Sequence, residues 1–223
     1  MIPAFPSPSG RLALCPSVLS ADFSCLKNSL ARVSKHSDWM HVDVMDGRFV
    51  PNISFGPVIV PAVLRAGGLP ADSHLMVENP AMFIEPFAKA GASLITIHAE
   101  ARGAAACLKK IRALGLKAGM SLRPKTPLSR VLPYLRQLDL LLIMTVEPGF
   151  GGQAFMPGQL PKIRAARAAI ARSGRPVWLQ VDGGINAGTA AAAIGAGADA
   201  LVIGSALFGA RNPAALLKGL RKI

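Results

Sequence analysis

Acidic residues are scarce. Twelve Asp and Glu stand against 25 Lys and Arg in 223 residues, a formal charge of +13. Such a balance admits an anionic partner. The basic residues are scattered singly, however, with Lys109-Lys110 a rare pair, and they form no basic block of the kind that marks a nucleic-acid surface. Aromatics are also few. One Tyr and two Trp leave little for base stacking, so no nucleic-acid partner is expected. The three cysteines, Cys15, Cys25 and Cys107, include no C-x-x-C pair. Their odd count and wide spacing fit neither a disulfide framework nor a zinc knuckle, and a reducing, cytoplasmic setting is expected. No apolar run reaches the length of a membrane span, so no membrane partner is expected either. The opening stretch, Met1 to Gly10, is rich in Pro and Ser and lacks the cationic-then-apolar order of a secretory leader. The expectation is a disordered lead-in over residues 1–10 and one domain over residues 11–223.

What is present is a cadence. Short apolar runs bounded by polar and glycine residues read as buried strands near 12–19, 39–45, 71–77, 94–98, 116–122, 140–146, 177–181 and 200–203. Helical patterns fill the gaps, opening at Ser20-Ala21-Asp22 and spanning 58–64, 80–89, an Ala-rich stretch to Leu114, 127–137, 161–173, 187–194 and the C-terminal tail. Several strand starts recur about 23 residues apart, the length of one strand-loop-helix-loop unit. Eight alternating units in one chain of 51% hydrophobic content predict a single-domain α/β fold, the (β/α)8 or TIM barrel.

The polar residues that interrupt the strands gather at their C-terminal ends: Ser17, His41, Asp43, His74, Asp182 and Ser205. In a barrel those ends share one face, where active sites are built. His41 and Asp43 are two residues apart and share a strand face. A buried carboxylate needs a partner. A local His–Asp hydrogen bond would supply one; so would a metal. His41, Asp43, His74 and Asp182, from three strands, make a mixed N/O donor set suited to Zn, Mn, Fe or Co. His74 could instead be a hydrogen-bonded core histidine, and for His98 the structural reading is preferred. Gly149-Phe150-Gly151-Gly152, Asp182-Gly183-Gly184 and Gly204-Ser205 follow the sixth, seventh and eighth strands. Each could be a tight turn, but the loops after the last two strands of a barrel, with a helix N-terminus, commonly hold phosphate. Met45, Met76 and Met144 suit core packing and could line a pocket.

The stretches HVDVMDGRFVPN, SHLMVENP, MTVEPGFGGQAF, VDGG and VIGSALF, within residues 15–208, resemble the ribulose-phosphate 3-epimerase family. The resemblance implies an isomerase of carbohydrate metabolism and the pentose phosphate pathway, with one divalent metal ion per chain (Zn, Fe, Mn or Co). It would interconvert D-ribulose 5-phosphate and D-xylulose 5-phosphate. By motif position it implies metal ligands His41, Asp43, His74 and Asp182, with Asp43 and Asp182 as the acid/base pair. Ser17, His41 and His74 would contact the sugar, and Gly149 to Gly152, Gly183, Gly184, Gly204 and Ser205 the phosphate. A homo-oligomer is the expected assembly. Arg123 and Glu147 stand where Asn is common in the family. A six-carbon ketose phosphate such as allulose 6-phosphate is the alternative substrate. A non-catalytic anion-binding barrel is the alternative of another class.

Overall fold

The computed structural model describes residues 2–223. Eight strands alternate with helices: β1 (Ala13–Pro16), α1 (Leu26–Ser34), β2 (Met40–Met45), α2 (Ile59–Gly67), β3 (Ala71–Met76), α3 (Ile84–Ala90), β4 (Leu94–His98), α4 (Ala104–Ala113), β5 (Lys117–Leu122), β6 (Leu140–Met144), α5 (Leu160–Ser173), β7 (Trp178–Asp182), α6 (Ala187–Gly195), β8 (Ala200–Ile203), α7 (Ser205–Phe208) and α8 (Pro213–Leu220). All strand pairs are parallel, in the order β1-β8-β7-β6-β5-β4-β3-β2. The expected (β/α)8 barrel is therefore the fold.

The barrel closes through a narrow seam. Between β1 and β2 there is one bridge, Ser17 to His41. Below it the Asp38 N–H donates to the Leu14 carbonyl at 2.9 Å, and the Asp38 carboxylate accepts the Leu14 N–H at 2.8 Å. Arg221, just beyond α8, donates to the same carboxylate at 2.6 Å and to the Leu12 carbonyl at 2.7 Å. A side chain thus replaces ladder bonds that the short β1 cannot make.

Alternation along each strand divides the core in two. Val42, Val44, Leu75, Ile95, Ile97, Leu141, Ile143, Leu179 and Leu201 face the helices. Cys15, Leu94, Leu140, Leu142, Trp178 and Val202 fill the interior. Buried on both sides, such strands read as nearly continuous apolar runs.

Two expectations fail here. The helix expected over 127–137 is a pair of 3-10 turns, Leu128–Arg130 and Leu132–Gln137. Pro133 has no N–H and its ring clashes with the preceding turn, so an α-helix cannot run through. The lead-in over residues 1–10 has no helix or strand in its described residues, but it is packed rather than disordered. Phe5 is buried with its ring 4.7 Å from that of Trp39. The Trp178 indole donates to the Pro6 carbonyl, and Ser93 Oγ to the Pro3 carbonyl, each at 2.9 Å. Trp39, Ser93 and Trp178 all stand at strand N-termini, so this segment covers the floor of the barrel opposite the active-site face.

Candidate active site

Register builds the site. β2 and β3 pair so that His41 lies beside Asp72 and Asp43 beside His74. All four face inward, giving a small checkerboard of imidazoles and carboxylates on adjacent strands. β4 places Thr96 beside His74, and Thr96 Oγ1 donates to Asp72 Oδ1 at 2.8 Å. Asp72 Oδ2 in turn stands 3.0 Å from His41 Nδ1, which must carry the proton of that contact. In the neutral ring, His41 Nε2 then presents a lone pair to the centre. His74 Nε2 meets His98 Nε2 at 2.9 Å, leaving His74 Nδ1 facing the centre. On Asp43, Oδ2 accepts from Ser17 Oγ at 2.6 Å and Oδ1 is left to the centre.

Four atoms converge there. His41 Nε2 is 3.2 Å from His74 Nδ1, 3.3 Å from Asp43 Oδ1 and 3.8 Å from Asp182 Oδ2. His74 Nδ1 is 3.4 Å from Asp43 Oδ1 and 4.0 Å from Asp182 Oδ2. All four ligand atoms lie within 4.8 Å of one another. Ligands about 2.0–2.1 Å from a tetrahedral ion stand about 3.3 Å apart. Two imidazole nitrogens and two carboxylate oxygens meeting in a buried space could hold a cation, and the spacing fits a divalent metal.

Protons compete for the same place. Burial works against a charge on His41, but Asp43 and Asp72 outweigh it and raise its pKa well above the ordinary value. Burial also opposes ionisation of Asp43, yet His41 and His74 hold it well below the usual carboxylate range. Asp182 behaves oppositely: burial first, then the charge of Asp43, push it up to about 6. The two carboxylates therefore differ in proton affinity, with Asp182 the more readily protonated of the two.

Above the centre opens a cavity of about 760 Å3. Its wall includes Ser17, Asp43, Met45, Met76, Met144, Gly149, Phe150, Gly151, Gly152, Asp182, Gly183, Gly184, Gly204 and Ser205. Met45, Met76 and Met144 are buried and also face the cavity. His41 and His74 are fully buried beneath the cavity and are not among the residues of its wall. Ser20, Asn186 and Thr189 line it without having been singled out. Gly184 is required by close approach, since a Cβ there would lie 2.2 Å from the Phe155 backbone nitrogen and φ is +67°. That contact draws the loops after β6 and β7 together over the cavity. Arg123 and Glu147 do not line it. Arg123 stacks 3.9 Å over the Phe49 ring.

The family profile described as "Ribulose-phosphate 3 epimerase family" matches residues 13–208. The chain belongs to the ribulose-phosphate 3-epimerase family. Its relatives include proteins named ribulose-phosphate 3-epimerase from Mycobacterium leprae, 46% identical over 94% of this chain and 93% of that one, and from Synechocystis, 46% identical over 96% and 94%. The fold is also that of 3-hexulose-6-phosphate synthase from Salmonella typhimurium, with a TM-score of 0.72 at 17% identity, covering 95% of this chain and 97% of that one. That likeness concerns the barrel alone. Epimerase membership agrees with the cavity: a mouth lined by two aspartates and three glycine-rich loops.

Proposed function

We propose that this chain interconverts D-ribulose 5-phosphate and D-xylulose 5-phosphate by moving protons on and off C3 with Asp43 and Asp182. The observation that carries this reading is the convergence of those two carboxylates, with opposite pKa shifts, on one metal-sized centre at the floor of a sugar-sized cavity. Epimerisation beside a ketone needs a proton taken from one face of the carbon and another given to the opposite face. β2 and β7 are separated in the barrel wall by β1 and β8, so Asp43 and Asp182 approach a substrate from different sides. In one direction Asp43, held ionised, accepts the C3 proton. Asp182, whose carboxyl is pushed up to about 6 by burial and by Asp43 and so binds a proton more readily than Asp43, delivers one to the other face; in reverse the roles exchange. The electron pair left at C3 spreads onto the C2 oxygen as an enediolate. Met45, Met76 and Met144 keep the surrounding wall apolar, where fixed charges act strongly.

His41, Asp43, His74 and Asp182 would hold one divalent ion, Zn, Fe, Mn or Co. It supplies Lewis-acid stabilisation of oxyanion charge and offsets the repulsion between the aspartates. The phosphate fits the end of the cavity formed by Gly183, Gly184, Gly204 and Ser205. Among the described residues that line the cavity none is Lys or Arg, so the anion would be met by backbone N–H groups and helix ends.

The test is a coupled assay on ribulose 5-phosphate in heavy water. Solvent deuterium is expected at C3 of the xylulose 5-phosphate formed, and Asp182→Asn is expected to lose several orders of magnitude in kcat. Retention of the substrate's own C3 hydrogen in a first turnover, or near-normal turnover by Asp182→Asn, would sink the two-carboxylate scheme.

A further inference from the structure

His98 has a bland place in the sequence, at the end of β4 among apolar neighbours. In the folded barrel it is fully buried and touches His74, one of the four converging residues. The two rings stack with centroids 5.0 Å apart and planes 23° from parallel, and their Nε2 atoms are 2.9 Å apart. Two ring nitrogens at that distance make a hydrogen bond only if one carries a hydrogen and the other a lone pair. Which way round it runs decides whether His74 Nδ1 offers the centre a lone pair or a hydrogen.

Glu100 settles the direction. Its Oε2 lies 3.3 Å from His98 Nδ1. A carboxylate only accepts, so His98 Nδ1 carries the hydrogen and His98 Nε2 the lone pair. His74 Nε2 must then donate, and His74 Nδ1 is left as a lone pair aimed at the centre. Glu100 is itself held by the Arg123 N–H, which donates to Oε1 at 2.9 Å. The His98 ring is held from the side by Phe49, 4.7 Å away between centroids, and Arg123 covers Phe49 in turn.

We propose that His98 and Glu100 are a positioning pair that fixes the tautomer of His74 and thereby sets how tightly the centre binds a divalent cation. The inference rests on the metal reading of the four-residue centre. It gives Arg123, one of the two departures from the family pattern, a place in the arrangement: its backbone N–H fixes Glu100, and its side chain braces Phe49. His41 has a different arm, with Asp72 in direct contact, so the two imidazoles are oriented independently.

Glu100→Gln and Glu100→Ala separate tautomer control from charge. In Glu100→Gln the amide oxygen stays with the Arg123 N–H, which can only donate. The amide NH2 then faces His98 Nδ1 and forces it to accept. The relay reverses, and His74 Nδ1 acquires the hydrogen that excludes a cation. In Glu100→Ala a water can restore the original direction. Both variants lose the same charge. Zinc affinity, measured by competition with a chromophoric chelator, is expected to fall 10–100-fold in Glu100→Gln, the range of outer-shell losses, and clearly less in Glu100→Ala. His98→Phe, which keeps the ring but removes the acceptor, is expected to fall as far as Glu100→Gln. Melting temperatures of the metal-free variants should stay near that of the parent. The cobalt-loaded parent and Glu100→Ala should share a ligand-field spectrum.

Affinity unchanged in Glu100→Gln overturns the pair's role, and so do equal losses in the two Glu100 variants. If His98→Phe does not fold, the Glu100 comparison decides alone. A parent protein that takes up no divalent ion removes the metal reading and this inference with it. Parent binding with unchanged variants removes the inference only.

Discussion

Asp182 and His41 are the residues at which protons would compete with a cation in the proposed centre. Asp182 in the metal-free protein is raised to about 6, by burial and then by Asp43. A raised carboxylate is held more tightly by the folded chain than by the unfolded one. Its contribution to metal-free stability is therefore present below the unfolded value, about 4, and is lost as pH rises through about 6. Metal binding needs the ionised form and moves the other way. The gain in melting temperature on adding zinc should thus be large at pH 7.5 and shrink steeply as pH falls through 6. Scanning calorimetry with and without zinc between pH 5 and 8 measures it. A gain that is flat across that range would mean Asp182 does not bind the ion.

Among the elements, β5 carries the least obvious constraint. Gly119 sits beside Thr96 of β4 in the register. A Cβ there would lie 2.3 Å from Thr96 Oγ1 and 3.2 Å from its Cα. The space is taken by the hydroxyl that holds Asp72, which orients His41. Gly119→Ala should therefore cost about 1–3 kcal/mol by overpacking and weaken metal binding by displacing Thr96. Adding Thr96→Ala should return much of the stability but leave the metal affinity low, because Asp72 then lacks its donor. Urea denaturation alongside chelator competition separates the two effects. Full recovery of affinity in the double variant would show that Thr96 does not act through Asp72.

At the scale of the whole molecule the +13 charge and the site part company, because the described cavity wall has no basic side chain. The charge acts at most as a long-range field drawing in an anion. The two ends of the barrel divide the work: chemistry at the strand C-termini, closure at the N-termini. The floor is covered by Phe5, whose ring packs at a tilt against Trp39, itself 5.3 Å from Trp178 between ring centroids. Phe5→Ala should lower unfolding free energy by about 3 kcal/mol, as other buried Phe truncations do, and shift tryptophan emission to the red. Zinc affinity should not change, since the floor lies at the far end of the barrel. Unaltered stability would mean the lead-in contributes no packing.

The sequence by itself determined the barrel and most of the site. Eight apolar runs at even spacing admit few other folds, and a His or Asp in the middle of such a run is conspicuous because burying it needs a partner. His41, Asp43, His74 and Asp182 are conspicuous for that reason, and the three glycine-rich loops stand out because each follows a strand directly. Pro133 stands inside the 127–137 pattern, and its missing N–H accounts for the 3-10 turns found there. What only the tertiary structure decided are relations between strands. Asp72 lay in plain view on the third strand, yet its pairing with His41 follows from register. The burial of His41 and His74 below the cavity floor depends on how far each strand rises in the barrel. The contact of His98 with His74 is a distance between side chains of different strands, which no local pattern encodes. The lead-in looked disordered because Pro and Ser have little local preference for regular structure. Its order comes from one aromatic ring and two carbonyl groups finding Trp39, Trp178 and Ser93, partners that meet only once the barrel has closed.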